Sequence, residues 1–72
     1  MKDEEILKNL GACIRRKRKE AGFTQEEFAH AAGFERAYYG RVERGTQNLT
    51  ILNLFKIASA LNCNASDLIE GL

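Results

Sequence analysis

Proline and tryptophan are absent from this sequence of 72 residues, which has only two cysteines, Cys13 and Cys63. Two thiols are too few for a disulfide framework, and neither belongs to a CxxC or Cys/His cluster of the kind that holds zinc. The single histidine, His30, has no evident nucleophile or acid partner. We therefore expect no metal, no cofactor and no small-molecule ligand, and an enzyme is the weakest functional class.

Long apolar segments are also missing. No run approaches the roughly 20 residues that a membrane-spanning helix needs. The first ten residues, MKDEEILKNL, are acidic and lack the apolar core of a signal peptide. The sequence therefore predicts a cytoplasmic protein without membrane contact. Its length predicts one domain, residues 1–72, with a small core.

Positive charge is unevenly distributed, although the net charge is only +1. One basic cluster covers residues 15–19, and a second consists of Arg36, Arg41 and Arg44, whereas acidic residues gather near both ends. A near-neutral total can conceal one basic face, as nucleic-acid binding requires. The alternative interpretation is that these clusters are ordinary solvated helix faces. For residues 15–19, this alternative and a DNA-facing role have equal weight.

Apolar residues recur at helical spacing along the chain, and no segment alternates as a strand would. The pattern predicts a compact all-α domain of five helices. We expect helix 1 at about residues 3–21, helix 2 at about 24–32 and helix 3 at about 35–44, with helices 4 and 5 after residue 50. The predicted apolar face of helix 4 consists of Ile51, Leu54, Phe55, Ala58 and Leu61.

Local start signals support helix 2. Thr24 and Glu27 have the spacing of a capping box, and Phe23 and Phe28 have that of a hydrophobic staple. Gly33 then ends the helix. Helices 2 and 3 are thus two short helices joined by a tight turn.

Helix 3 separates polar from apolar residues by angle, at about 100° per residue. Tyr39 and Val42 lie on one arc and are expected in the core. The opposite, outward arc is predicted to contain Arg36, Ala37, Gly40, Arg41 and Arg44. A glycine within a helix costs about 1 kcal/mol relative to alanine. Gly40 is either selected for a smooth outward surface or merely tolerated.

An outward arc of arginines suits the major groove of DNA, which admits one α-helix. Arg36 is predicted to donate two hydrogen bonds to a guanine, Ala37 to meet a thymine methyl group, and Arg41 to reach a base or a phosphate. Gln25 lies at the start of helix 2, where unpaired amides favour a phosphate. Further candidates for phosphate contacts are Tyr38, Arg44, Thr46, Gln47 and Asn48. Core packing is the alternative for the Tyr38 ring, and a plain turn is the alternative for the three loop residues.

Two segments together resemble the Cro/C1-type helix-turn-helix family of phage and bacterial repressors. They are residues 15–45, RRKRKEAGFTQEEFAHAAGFERAYYGRVERG, and residues 54–61, LFKIASAL. The resemblance covers roughly residues 6–69 and implies a five-helix, lambda-repressor-like domain whose helix 3 enters the major groove of double-stranded DNA. The base-contacting positions that it implies are Glu35, Arg36, Ala37 and Arg41.

The resemblance also assigns phosphate contacts to Thr24, Gln25 and the loop after Gly45, and a structural ion pair to Arg18 and Glu43. Within the family, residues 35–39, 43–45 and 48–51 look most like controller proteins of restriction–modification systems. Such proteins are small dimers that regulate their own operon.

Helix-turn-helix proteins usually bind two half-sites as two-fold dimers. A single domain must then provide its own dimer contact, and the predicted interface surrounds helix 5: Leu61, Ala65, Leu68, Ile69 and Leu72. Closing the core is the alternative for Leu61 and Leu68 and is favoured for both, which leaves Ile69 and Leu72 as the better interface candidates. We expect a homodimer that binds inverted half-sites and regulates its own transcription. The alternative is an antitoxin-type protein-interaction module that also binds its own operator.

Overall fold

The computed structural model describes residues 2–72, which form five helices and no strand. The helices are α1 (Asp3–Glu20), α2 (Gln25–Ala32), α3 (Arg36–Arg44), α4 (Ile51–Ala60) and α5 (Ala65–Ile69). The predicted all-α class and helix order are confirmed. Thr24 and Glu35 are N-cap residues rather than the first residues of their helices. Within the described residues, no helix is long and apolar enough to cross a membrane.

The start of α2 has the predicted capping box. Thr24 Oγ1 accepts a hydrogen bond from the backbone N–H of Glu27 at 3.1 Å, and Glu27 Oε1 accepts one from the backbone N–H of Thr24 at 2.8 Å. The second bond is the main reason that the pKa of Glu27 lies below its ordinary value. The rings of Phe23 and Phe28 meet edge to face, with centroids 5.4 Å apart, so the predicted staple is also present.

The core gathers side chains from all five helices. Its largest fully buried members are Tyr39, Phe28, Ile14, Ile57 and Leu68. The prediction that Tyr39 and Val42 anchor α3 in the core is confirmed.

The apolar face predicted for α4 is partly wrong. Leu54 and Ala58 are buried as expected, and Ile57 is buried with them. Ile51 and Phe55, which the prediction placed on the same face, are 64% and 57% exposed. Most residues of α4 are apolar, and the core covers only one side of a helix. The excess apolar residues therefore lie on the surface.

The backbones of α1 and α3 approach each other closely at Gly11. A Cβ atom on Gly11 would lie 2.5 Å from the carbonyl oxygens of both Val42 and Glu43. At the end of α3, a Cβ atom on Gly45 would lie 2.6 Å from the Cα atom of Lys8. Only glycine permits such approach. These two contacts therefore set how near α3 lies to α1.

Substituting Gly11→Ala should lower the free energy of unfolding by about 3 kcal/mol or more, because backbone atoms cannot yield without separating the two helices. Urea denaturation measures the change. The matched control is Gly40→Ala in α3, where a Cβ atom would meet the mobile end of Arg44 at 3.2 Å. The control should raise stability by up to about 1 kcal/mol through helix propensity. Equal effects of the two substitutions would contradict the close approach.

Candidate nucleic-acid interface

A buried ion pair joins α1 to α3. Arg18 Nε donates to Glu43 Oε2 at 2.7 Å, and Arg18 Nη2 donates to Glu43 Oε1 at 3.0 Å. The two side chains are only 8% and 3% exposed. Arg18 Nη1 also donates to the carbonyl oxygen of Phe23 at 2.8 Å, just before α2. The two parallel bonds fix the orientation of both groups, so the arginine fixes α3 and the start of α2 against α1.

The Glu43 carboxylate also accepts hydrogen bonds from Tyr39 Oη and, at 3.1 Å, from Gln25 Nε2. Burial by itself raises the pKa of Glu43, but the donors from Arg18, Tyr39 and Gln25 outweigh it, so the pKa lies below its ordinary value. The same bond to Glu43 raises the pKa of Arg18. The carboxylate is therefore held in its ionised form at the junction of three helices.

The exposed side of α3 differs from the predicted outward arc at one position. Gly40 is buried, beneath the ends of Gln25 and Arg44, so the prediction that it lies on the outward arc is wrong. The buried residues of α3 are Tyr39, Gly40, Val42 and Glu43. At about 100° per residue, the direction opposite their mean is that of Arg41. Arg41 thus marks the centre of the exposed side.

Three other predicted DNA-binding residues of α3 are exposed: Arg36, Ala37 and Arg44. Glu35 is exposed as the N-cap, and its side chain makes no capping hydrogen bond. The exposed side of α3 therefore presents arginines and a small apolar residue rather than a continuous apolar face.

Arg41 is held by two neighbours. Its Nε donates to Gln47 Oε1 at 3.1 Å, in the loop that follows α3. Its guanidinium carbon lies 5.9 Å from the centroid of the Tyr38 ring, within the range of a cation–π interaction. The side chain is consequently half-buried although its direction is outward.

Tyr38 bridges α3 and α4. Its ring packs against Phe34 with centroids 5.4 Å apart, and its hydroxyl oxygen accepts a hydrogen bond from Asn53 Nδ2 at 2.9 Å. A phenol that accepts one bond can still donate another. The packing role that was the alternative for this ring is therefore present, and its hydroxyl hydrogen remains available to a ligand.

The other predicted phosphate ligands surround α3. Thr24 is exposed but caps α2, and Gln25 is half-buried with its amide nitrogen bonded to Glu43. Thr46 and Asn48 are exposed in the loop after Gly45. The structure brings these residues beside the C-terminal half of α3: Gln25 lies next to Gly40 and Glu43, and Thr46 and Asn48 lie in the loop that follows the helix.

The predicted dimer interface requires a correction at Leu68, which is 1% exposed and belongs to the core. Leu61, Ala65 and Leu72 are half-buried against that core, and only Ile69 is an exposed large apolar residue, at 45%. The sequence interpretation missed the exposed surface of α4, formed by Ile51, Leu52 and Phe55. The signal for it was the apolar excess of α4.

Residues 14–68 match the family model described as helix-turn-helix. The chain belongs to the helix-turn-helix family. It is 35% identical over 65 residues to an uncharacterised HTH-type transcriptional regulator, y4dJ of Sinorhizobium fredii, across 90% of this chain and 84% of that protein. It is 32% identical over 69 residues to the control protein C.MunI of a Mycoplasma species, across 94% and 93% of the two chains.

Among solved structures, the fold superposes on the restriction–modification controller protein C.AhdI from Aeromonas hydrophila with a TM-score of 0.84. The two chains are 37% identical, and the match covers 86% of this chain and 94% of that one. The predicted family and the predicted likeness to controller proteins are confirmed. The family is one of DNA-binding transcription regulators rather than enzymes.

Removing the Tyr39 hydroxyl tests how much the hydrogen bonds to the Glu43 carboxylate contribute to stability. Tyr39→Phe should lower the free energy of unfolding by about 1.5–3 kcal/mol, the range for a hydrogen bond to a charged group. It should also raise the pKa of Glu43, because one of the donors that lower this pKa is lost. A lowered carboxyl pKa stabilises the fold above the unfolded value of about 4.3, and this contribution disappears as pH falls through the folded-state pKa.

In Tyr39→Phe, the loss of stability on acidification should therefore be smaller than in the wild type and should be complete at a higher pH, although in both proteins it begins near the unfolded-state pKa. Urea unfolding at a series of pH values and an NMR titration of the Glu43 carboxyl carbon measure the two effects. Tyr38→Phe is the matched control, because it removes a half-buried hydroxyl that accepts only from Asn53. It should change stability by less than about 1 kcal/mol and leave the Glu43 titration unchanged.

Proposed function

We propose that this protein is a sequence-specific transcriptional regulator that binds inverted half-sites in double-stranded DNA as a homodimer and regulates its own gene. The observation that carries the proposal is the exposed side of α3. It presents Ala37, Arg41 and Arg44, with Arg36 exposed at the N-terminal end of the helix, while the opposite side is fixed to α1 and α2 through buried groups. A rigid helix of this kind enters the major groove, where arginine and alanine distinguish guanine and thymine.

Residues beside α3 supply the contacts that position the helix. The backbone amides at the start of α2, beside Thr24 and Gln25, attract a phosphate. Arg44 lies beside Gln25 and suits the same phosphate. Thr46 and Asn48, in the loop after α3, suit a second phosphate, and the hydroxyl of Tyr38 suits a third. Phosphate contacts fix orientation without sequence information and make the affinity depend on salt.

The dimer contact is assigned to the exposed surface of α4 rather than to the buried part of α5. Ile51, Leu52 and Phe55 are 64%, 72% and 57% exposed, and their helical spacing makes them neighbours. Adjacent exposed apolar residues of this size mark interaction surfaces. A two-fold axis through the α4 surface would pair it with itself.

Self-regulation is supported by similarity to the control protein C.MunI and to the controller protein C.AhdI. The experiment that tests the proposal is a DNase footprint of the protein on the DNA upstream of its own gene. Two protected, inverted half-sites with centres about one helical turn apart are expected. Protection of a single half-site, or of none, would contradict the proposal.

Base recognition by Arg36 leads to the first binding prediction. Arg36→Ala should lose about 1–3 kcal/mol of binding free energy on the protected operator, because two hydrogen bonds to one guanine are lost. The loss on DNA of random sequence should be small. Fluorescence anisotropy titrations on both duplexes measure the difference. Equal losses on the two duplexes would show that Arg36 contacts phosphate rather than a base.

The proposed dimer contact through α4 leads to a second prediction. Phe55→Glu places a charge in the centre of the apolar surface and should convert the dimer to monomers, as measured by sedimentation equilibrium. Ile69→Glu, which changes an exposed apolar residue of α5 rather than of α4, should weaken the dimer less. Lys19→Glu, an exposed change on α1, is the control for added negative charge and should leave the dimer intact. A dimer that persists in Phe55→Glu would place the interface elsewhere.

A further inference from the structure

We propose that Gln47 determines the sequence preference of this protein without contacting DNA, by holding Arg41 in the orientation in which it binds a guanine. The inference rests on the proposed function, because it requires α3 to lie in the major groove. Gln47 was expected to bind a phosphate, and the inference replaces that role. Arg41 was expected to reach either a base or a phosphate, and the inference assigns it a base, guanine.

The first argument is the position of Arg41. It points opposite to the mean direction of the buried residues of α3, so it lies at the centre of the exposed side. The centre of a helix in the major groove faces the base edges, and the flanks face the phosphates. Arg44, whose guanidinium lies beside Gly40 and Gln25, belongs to a flank.

The second argument is the set of hydrogen-bond donors that Arg41 has left. Gln47 Oε1 takes the Nε–H bond, at 3.1 Å. The Nη1 and Nη2 groups at the end of the planar guanidinium are then the pair that remains for a ligand. Two parallel donors of this kind match O6 and N7 of guanine.

The third argument is that both polar atoms of the Gln47 side chain are already engaged by protein groups. Its oxygen accepts from Arg41, and its amide nitrogen lies 3.4 Å from the carbonyl oxygen of Asn48. The amide is therefore directed at protein groups, and the side chain is half-buried. Tyr38 completes the site from a second side, 5.9 Å from the guanidinium carbon, and Asn53 and Phe34 fix the Tyr38 ring in turn.

These contacts have a consequence for affinity. An arginine that is ordered only on binding loses side-chain entropy at that moment, about 0.5–1.5 kcal/mol for a flexible side chain. Gln47 and Tyr38 order Arg41 during folding instead. Gln47 thus acts as a positioning residue for Arg41.

The test compares Gln47→Met, Arg41→Ala and the double variant. Each is titrated against a duplex selected by the wild-type protein from a random 20-base-pair pool and against unselected DNA. Arg41→Ala should weaken binding to the selected duplex about five- to 150-fold. Gln47→Met, which keeps the length but removes the acceptor, should weaken it about two- to tenfold. Neither should change binding to unselected DNA by a comparable factor.

The double variant provides the decisive comparison. If Gln47 acts through Arg41, adding Gln47→Met to Arg41→Ala should cause no further loss. Multiplicative losses in the double variant, or equal losses on both duplexes, would show that Gln47 contacts DNA itself and would overturn the inference. Gln47→Glu keeps the acceptor for Arg41 and should retain the preference for the selected duplex, although its charge lowers affinity for both DNAs.

A second arm distinguishes guanine from phosphate. Each guanine of the selected duplex is replaced in turn by 7-deazaguanine, which lacks the N7 acceptor. One replacement should weaken binding by the wild-type protein and have no effect on Arg41→Ala. If Arg41→Ala instead responds to every replacement as the wild type does, and only its salt dependence falls, Arg41 binds phosphate and the inference is wrong.

Failure of the proposed function gives a different result, because the wild-type protein would then enrich no duplex from the pool. Thermal melting of each variant separates a positioning role from a structural one. Gln47→Met should melt at the wild-type temperature, since Gln47 lies in a surface loop outside the core. A lowered melting temperature together with losses on both DNAs would assign Gln47 to stability and overturn the inference.

Discussion

The carboxylate of Glu43 is the group on which the position of α3 depends. It accepts hydrogen bonds from Arg18 in α1, from Gln25 in α2 and from Tyr39 in α3 itself. A buried charge is unfavourable unless it is fully paired, and removing one partner of such a pair destabilises a protein by about 3–5 kcal/mol. An apolar residue at this position would also bury surface, but it would allow α3 to rotate or slide. The carboxylate, by contrast, is satisfied in one arrangement of the three helices.

Two glycines supply the complementary constraint. Gly11 allows α1 to contact the carbonyl groups of α3, and Gly45 allows the end of α3 to contact the backbone at Lys8. The glycines therefore set the distance between the two helices, while Glu43 sets the rotation. A chain of this size has a small core and modest stability, so contacts that specify geometry matter more here than added apolar area.

Sequence alone was sufficient where the determining contacts are local. The capping box of Thr24 and Glu27 depends on a spacing of three residues, and Tyr39 follows from helical periodicity. Sequence reasoning failed where the burial of a residue depends on which other helices pack against it. Gly40 shares an arc with the arginines, but α2 covers that part of the arc through Gln25. On α4, periodicity could not determine which of the many apolar residues the core would accept.

The hydrogen bond between Arg41 and Gln47 could not be predicted from the sequence. Six positions separate the two residues, and no pattern of residue types requires that they meet. Leu68 was ambiguous for a different reason, because an apolar residue of a short helix suits a core or an interface, although the core was the favoured role. Its exposure of 1% resolves the choice.

The hydrogen bond between Tyr38 and Asn53 connects the two surfaces that the proposed function needs. Asn53 belongs to α4, directly after Leu52, and Tyr38 belongs to α3, beside Arg41. In the proposed dimer, the exposed surface of α4 meets its copy, and α3 enters the DNA. The spacing of two half-sites is set by how rigidly the DNA-binding helix is connected to the dimer interface. Leu54 and Ile57 also anchor α4 in the core that holds Tyr39, so shared core residues connect the two helices in addition to this bond. A change in the α4 contact between subunits would thus alter the separation of the two α3 helices, and with it the operator spacing, without any change in the residues that face the DNA.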